Sequence, residues 1–283
     1  MPYAKPLRDT VIKASLEDSS KLGNDEKIVV RKGGKIGFTD LDYDKNDHAG
    51  VDIAGNLGPF KEGDRVYIYA PHWEMPKSLT ERELNLPVPH FDQIDNETGY
   101  HGPGNRQCSL TSHSMLLDHL FKGDLTKQAR QNGHSEAEGY YGKLLYPYGD
   151  TTNHTAHTRL LAENFGIESY WSTTLSPRDL RRSLELGIPV VTGHIYKSSG
   201  HITLTVADLG SKGWGINDPY GARAGTANYY ITIGNHSGDH DIYSNASLEK
   251  IFWEQKMTND PETGWGRIIT SINGKSTGLP RNL

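Results

Sequence analysis

A single cysteine stands in a chain of 283 residues. That count excludes an internal disulfide and any zinc site built from several thiolates. Long apolar runs are missing too: nothing approaches the roughly 20 residues that a helix needs to cross a bilayer. The opening Met1-Pro2-Tyr3-Ala4-Lys5-Pro6 lacks the charged-then-apolar order of a secretory signal. Positive charge is not in surplus. Thirty Lys and Arg face 35 Asp and Glu, a net charge of −5, which argues against nucleic acid as a partner and against a polybasic membrane anchor.

What the chain has in quantity is glycine, 31 residues against 35% hydrophobic content, so a packed core must be joined by many turns. Residues 1–75 carry short β-type runs at Lys27–Arg31, Lys35–Phe38 and Arg65–Ala70, separated by glycine and Asx turns. This spacing suits a small all-β barrel of five or six strands. Residues 76–89, bounded by Pro76 and Pro89, read as a linker. From residue 90 to 283 helices come first and strands after. Helical patterns follow Cys108, cover 153–165, and begin again at Ser176-Pro177, where serine is the cap and proline the first helical residue. Strands are expected over 189–194, 201–207 and 213–217. Helices followed by an antiparallel sheet define an α+β architecture.

The lone thiol sits where Gly102-Pro103-Gly104-Asn105-Arg106-Gln107 gives way to the apolar helix that ends before Gly123. A thiol in the first helical turn meets unpaired N–H groups and the positive end of the helix dipole, and both favour thiolate. Gly200-His201 opens one expected strand, and Asn217-Asp218-Pro219 ends the next. Antiparallel pairing would bring the His201 imidazole and the Asp218 carboxylate to one end of the sheet, beside each other. His194, also preceded by glycine, is a second candidate base.

With Gln93, these segments (His90-Phe-Asp-Gln93, Asn105-Arg-Gln-Cys108-Ser, Gly200-His201, Asn217-Asp-Pro-Tyr-Gly221) resemble the papain-like cysteine peptidases related to bacteriocin leader peptidases. The resemblance spans about residues 88–225. It implies Cys108 as nucleophile, His201 as general base and acid, Asp218 as orienting residue and Gln93 as oxyanion donor, with Gln107 a rival donor. It implies a thioester acyl-enzyme, a peptide or isopeptide substrate, and no cofactor.

Residues 1–75 are similar to the bacterial Src-homology-3-like modules attached to cell-wall hydrolases. In that reading Tyr69 and Trp73, with Tyr67 and His72, offer a stacking surface for wall sugar or peptide; equally, Trp73 could plug the barrel and the tyrosines face its core. The combination points to a peptidoglycan endopeptidase of endolysin or virion-associated type, reaching the wall through a holin or in the virion and otherwise cytoplasmic. Acyl transfer of the amidase or transglutaminase kind, to water or to an amine, and a phage tail component with a vestigial site, are the alternatives.

No metal is expected. His154 and His157 share a helix face, and His236, Asp239, His240 and Asp241 cluster in one loop, but neither group has a third ligand at diagnostic spacing. Asp40 to Val51 imitates a calcium loop with Lys45 where glycine belongs, and reads as a solvated acidic turn. Residues 247–254 suggest a short amphipathic helix, with Trp253 and Trp265 closing the core.

Overall fold

The computed structural model describes residues 3–43, 48–75, 83–97, 99–196, 199–223, 229–248, 252 and 264–279. The chain divides into two units, Met1–Arg82 and Glu83–Leu283.

The first unit holds strands β1 (Tyr3–Pro6), β2 (Thr10–Lys13), β3 (Lys27–Val30), β4 (Ile36–Tyr43), β5 (His48–Ile53), β6 (Arg65–Tyr69) and β7 (Trp73–Glu74). They form one antiparallel sheet in the order β3-β2-β6-β5-β4-β1-β7. This is seven strands rather than the five or six expected. The alternating burial of β6 puts Val66 and Ile68 inward with Ile12, Phe38, Val51 and Ile53. The acidic Asp40–Val51 stretch lies along the β4–β5 hairpin, and its residues 44–47 fall outside the described ones.

Trp73 belongs to the same core, which corrects its expected place on a binding surface. It is 5% exposed and meets the edge of Phe38 at 5.7 Å between ring centroids. A ring packed on its neighbours has no face left for a ligand. Tyr69 stays half-buried at the surface, edge-to-face with His48 and His72.

The second unit begins earlier than expected. Strand β8 (Leu84–Asn85) is paired there, so residues 83–89 are structure and not linker. Helices α1 (Cys108–Leu120), α2 (Asp124–Gln131), α3 (Ala137–Leu145) and α4 (His154–Phe165) come next, then β9 (Ile167–Leu175) and α5 (Pro177–Glu185). The remaining elements are β10 (Val190–Tyr196), β11 (Ser199–Asp208), β12 (Trp214–Asn217), β13 (Gly221–Arg223), β14 (Tyr230–Ile233), β15 (Asp241–Tyr243), α6 (Asn245–Leu248), β16 (Gly264–Ile272) and β17 (Lys275–Ser276). Of the amphipathic helix expected over 247–254, the described part is the end of α6 and Phe252; Trp253 lies outside the described residues.

Local chemistry sets the helix ends. Asn153 accepts the N–H groups of Thr155 and Ala156 at the start of α4, and Gly166 closes it in the left-handed region. Ser176 and Asp179 make a reciprocal capping box on α5, with Pro177 at its first turn. The main sheet runs β15-β12-β11-β10-β16-β17, antiparallel throughout, with β8 added to β11 and β9 to β16. Helices α1, α3 and α4 bury Leu110, Leu116, Leu117, Tyr141 and Leu160 against Val191, Leu204 and Val206 of that sheet.

A second, polar layer lies beneath α1. Arg267, 2% exposed, donates from Nε to His113 Nε2 at 2.8 Å and from its guanidinium ends to Thr158, Ser169 and the His154 carbonyl. His113 passes its own N–H to the carbonyl of Ser109 at 2.7 Å and stacks on His157, 4.1 Å between centroids. A guanidinium this buried is tolerable only because its hydrogens are so fully engaged.

Candidate active site

Cys108 is the first residue of α1, and the turn before it is held by close packing. A Cβ on Gly104 would fall 2.0 Å from the backbone oxygen of Gln93, so only glycine lets the two segments approach. Gln107 is consumed by the same turn. Its amide donates to the carbonyls of Glu97 (3.1 Å) and Gly102 (2.6 Å) and accepts from Asn96 (3.0 Å). That leaves it no hydrogen for an oxyanion.

Helix α1 docks on one residue of β11, Ile202. The Ile202 carbonyl accepts from Ser112 Oγ at 3.2 Å, while the Ile202 N–H is directed to the Cys108 sulfur. The register does the rest. Leu204 pairs with Asn217, so Asp218, one residue on, comes alongside the His201 end of β11. His201 Nε2 donates to Asp218 Oδ1 at 2.7 Å, and the same ring is hydrogen-bonded to the Cys108 side chain. With Nε2 committed to the carboxylate, Nδ1 is the nitrogen left for sulfur.

The electrostatics of the three groups are mutual. Burial pushes the Cys108 thiol up, but the hydrogen bond and charge of His201 and the Ile202 N–H outweigh it, leaving the thiol below its ordinary range. Burial pushes His201 down; the Asp218 charge and hydrogen bond, together with Cys108, carry it up to about 10. Burial pushes Asp218 up; His201, then the Tyr243 hydroxyl and the Tyr220 N–H, bring it to about 2. Thiolate, imidazolium and carboxylate are therefore the favoured forms. Cys108 as a residue is half-buried.

Asp218 is fully buried and fully satisfied. Oδ1 also accepts the Tyr220 N–H at 2.9 Å, and Oδ2 takes hydroxyl hydrogens from Tyr230 (2.9 Å) and Tyr243 (2.5 Å). Neither tyrosine was marked in the sequence, where each is one aromatic among 15 tyrosines. Gly238 presses on the same segment: its carbonyl accepts the Asp218 N–H, and a Cβ there would fall 2.0 Å from the Asp218 oxygen.

Gln93 lies on the neighbouring segment, fixed by its own N–H to the Pro219 carbonyl at 2.8 Å. Its buried side-chain amide donates one hydrogen to the Gly104 carbonyl at 2.9 Å and carries a second. The alternative base, His194, sits opposite His201 in the β10–β11 register. Its Nε2 is held between the hydroxyls of Thr192 and Thr203. Burial, then the His201 charge, press it down to about 3, so it is a neutral packing residue.

His157 is not free to hold a metal with His154. Its two ring nitrogens are bonded to Tyr141, Thr151 and Ser109, and His154 is stacked flat on Trp171 at 3.6 Å.

A thiol paired to an imidazole that is paired to a carboxylate, at a helix N-terminus against an antiparallel sheet, is the arrangement of a cysteine peptidase. The comparison with known families agrees: the Peptidase_C39-like family matches residues 85–250, and the chain belongs to that family. No curated protein and no solved structure matches it. The family match starts one residue into β8, in keeping with the unit boundary before residue 83.

Proposed function

We propose that Cys108, His201 and Asp218 are the catalytic residues, and that the hydrogen-bonded chain linking them is the observation that carries the reading. The Cys108 thiolate attacks a substrate amide carbon. The oxyanion is held by the Cys108 backbone N–H and the second amide hydrogen of Gln93. His201 gives its proton to the departing amine, leaving a thioester; it then takes a proton from water as the water oxygen attacks the thioester carbon, which expels the thiolate, releases the acid and restores the thiolate–imidazolium pair. Asp218 keeps the ring oriented and its charge balanced.

The finer reading is a papain-like endopeptidase acting on the peptide portion of peptidoglycan, of endolysin or virion-associated type. Its support is the first unit, a small all-β body with a core of its own, similar to the barrel-forming Src-homology-3-like wall modules, with Tyr69 between His48 and His72 as its aromatic surface.

Digestion of purified peptidoglycan, followed by mass spectrometry of the released fragments, tests both levels. New amino termini within stem or cross-bridge peptides are expected, absent after thiol blocking and with Cys108→Ala. Turnover that survives Cys108→Ala would overturn the catalytic assignment. Cleavage of soluble peptides without attack on the wall would overturn the substrate assignment alone.

A further inference from the structure

Beside the backbone of Asp218, three ligand-type side chains meet that the reaction above does not use. His90 is buried, with 2% of its side chain exposed, and its Nε2–H donates to the Asp218 carbonyl oxygen at 2.9 Å. A carbonyl can only accept, so this bond fixes the tautomer and leaves a lone pair on Nδ1. That lone pair faces Nδ1 of His236 at 3.3 Å and Asp92 Oδ1 at 3.9 Å. Asp92 is 4% exposed; its Oδ2 accepts the His236 N–H at 2.7 Å and lies 4.0 Å from the His236 ring nitrogen. Its Oδ1 is buried with no hydrogen-bond partner among the described residues.

The cluster is thus short of hydrogens. A proton on His236 Nδ1 could satisfy one of the facing acceptors but not the other, and a buried carboxylate oxygen left unpaired is costly. A cation resolves the deficit at a stroke. Tetrahedral zinc with bonds of about 2.0–2.1 Å holds its ligand atoms roughly 3.3 Å apart. The two imidazole nitrogens already stand at that separation, Asp92 Oδ1 is 3.9 Å from the first of them, and one ligand atom from each of the three residues lies within 4.8 Å of the others. The bond from the far nitrogen of His90 to a backbone carbonyl is the support that metal-bound histidines ordinarily have. His236 is presented by a left-handed turn, Gly234-Asn235-His236, in which all three residues have positive φ. Its side chain is 64% exposed, which gives the ion an entry path and a solvent-side fourth position.

We propose that His90, Asp92 and His236 form a binding site for one zinc-type divalent transition cation. Such an ion would clasp the segment leading to Gln93 to the loop that follows β14, across a separation of 146 residues in the chain. Sequence spacing could not disclose it: His236 looks paired with His240, yet His240 turns to Asp239 and to the Leu86 carbonyl.

The site goes beyond the peptidase reading and does not depend on it. The test uses untagged full-length Cys108→Ala protein, which removes the one competing thiolate, stripped with a chelator and titrated with zinc chloride by calorimetry. One equivalent should bind, raising the thermal midpoint. In Cys108→Ala/His236→Ala, whose new change falls on an exposed side chain, affinity should drop on the order of 100-fold and the thermal shift should vanish. Absence of binding by Cys108→Ala, or binding that His236→Ala leaves unchanged, would overturn the assignment.

Discussion

Tyr243 donates its phenolic hydrogen to Oδ2 of Asp218 at 2.5 Å, on the opposite side of the carboxylate from His201. A buried carboxylate has several lone pairs to satisfy, and here the tyrosine closes the set that His201, Tyr220 and Tyr230 begin. Tyr243→Phe keeps the ring and removes only that hydrogen. Leaving a buried charged acceptor short should cost about 1–3 kcal/mol, read as a lower urea midpoint with an unchanged slope. The Asp218 carboxyl should also titrate higher in the variant, so the acid limb of activity should move to higher pH. Tyr230→Phe, in a less buried hydroxyl, should show the same signs at smaller size.

The pairing of Cys108 with His201 sets a pH dependence with a definite sign. Because the thiol lies below its ordinary range, thiolate persists at pH values where a free cysteine is protonated. Alkylation by iodoacetamide should be fast at pH 6 in the native protein. In His201→Ala the hydrogen bond and charge that lower the thiol are gone and burial remains, so the rate at pH 6 should fall at least about tenfold and recover only in alkali. Equal rates at pH 6 would show that the two groups do not interact.

The same groups link stability to pH. Asp218, depressed to about 2, contributes stability above the unfolded carboxylate range and loses it as pH falls from near 4 toward 2. His201, raised to about 10, contributes fully below the ordinary histidine range and loses that contribution as pH climbs from about 6.5 to 10. Unfolding midpoints measured in urea should therefore decline on both sides, and Asp218→Asn should flatten both slopes.

Much of this was legible in the sequence, for local reasons. The serine cap with Pro177 after it, and the glycine that ends the helix over 153–165, are written within a few residues of the helices they bound. Cys108, His201 and Asp218 could be related because antiparallel pairing of β11 and β12 is the simplest way to join them. Other features depended on distant partners. Helix α3 contains two glycines, and β16 owes its place to pairing with β9 nearly a hundred residues earlier. Leu84–Asn85 looked like linker because it is short and followed by prolines, yet β11 supplies its ladder. Trp73 looked like a surface aromatic because a bulky ring beside His72 gives no sign of which face of a two-residue strand it takes. Arg267 and His113 carry no spacing that announces a buried contact.

Gln93 and Gln107 differ in what their amides have left to give, and this separates them experimentally. Gln107 has its amide engaged three ways within the turn. Gln107→Ala should chiefly cost stability, about 1–3 kcal/mol for unsatisfied buried groups, read as a lower unfolding midpoint. Gln93 has one hydrogen on Gly104 and one in hand. If that second hydrogen serves the oxyanion, Gln93→Ala should lower kcat roughly 10²–10³-fold with KM little changed, the usual loss for one oxyanion donor. A Gln93→Ala enzyme with normal kcat would assign the oxyanion to backbone alone.

The boundary before Glu83 can be tested by cutting the chain in two places. Each unit has a core of its own: the first packs Ile12, Phe38, Val51 and Ile68, the second its helices and sheet. A chain of residues 83–283 should therefore fold alone, and on the proposed division of labour it should still turn over soluble peptides while binding wall less well. A chain of residues 90–283 loses much more. Gone are the β8–β11 pairing, buried Val88, the Leu86 carbonyl that accepts from His240, and the Val88 and Pro89 carbonyls held by Asn217 beside Asp218. Removing one buried aliphatic side chain alone costs about 2–5 kcal/mol, so this shorter chain should show a markedly lower thermal midpoint and reduced turnover. Equal stability of the two would mean that residues 83–89 are a linker after all.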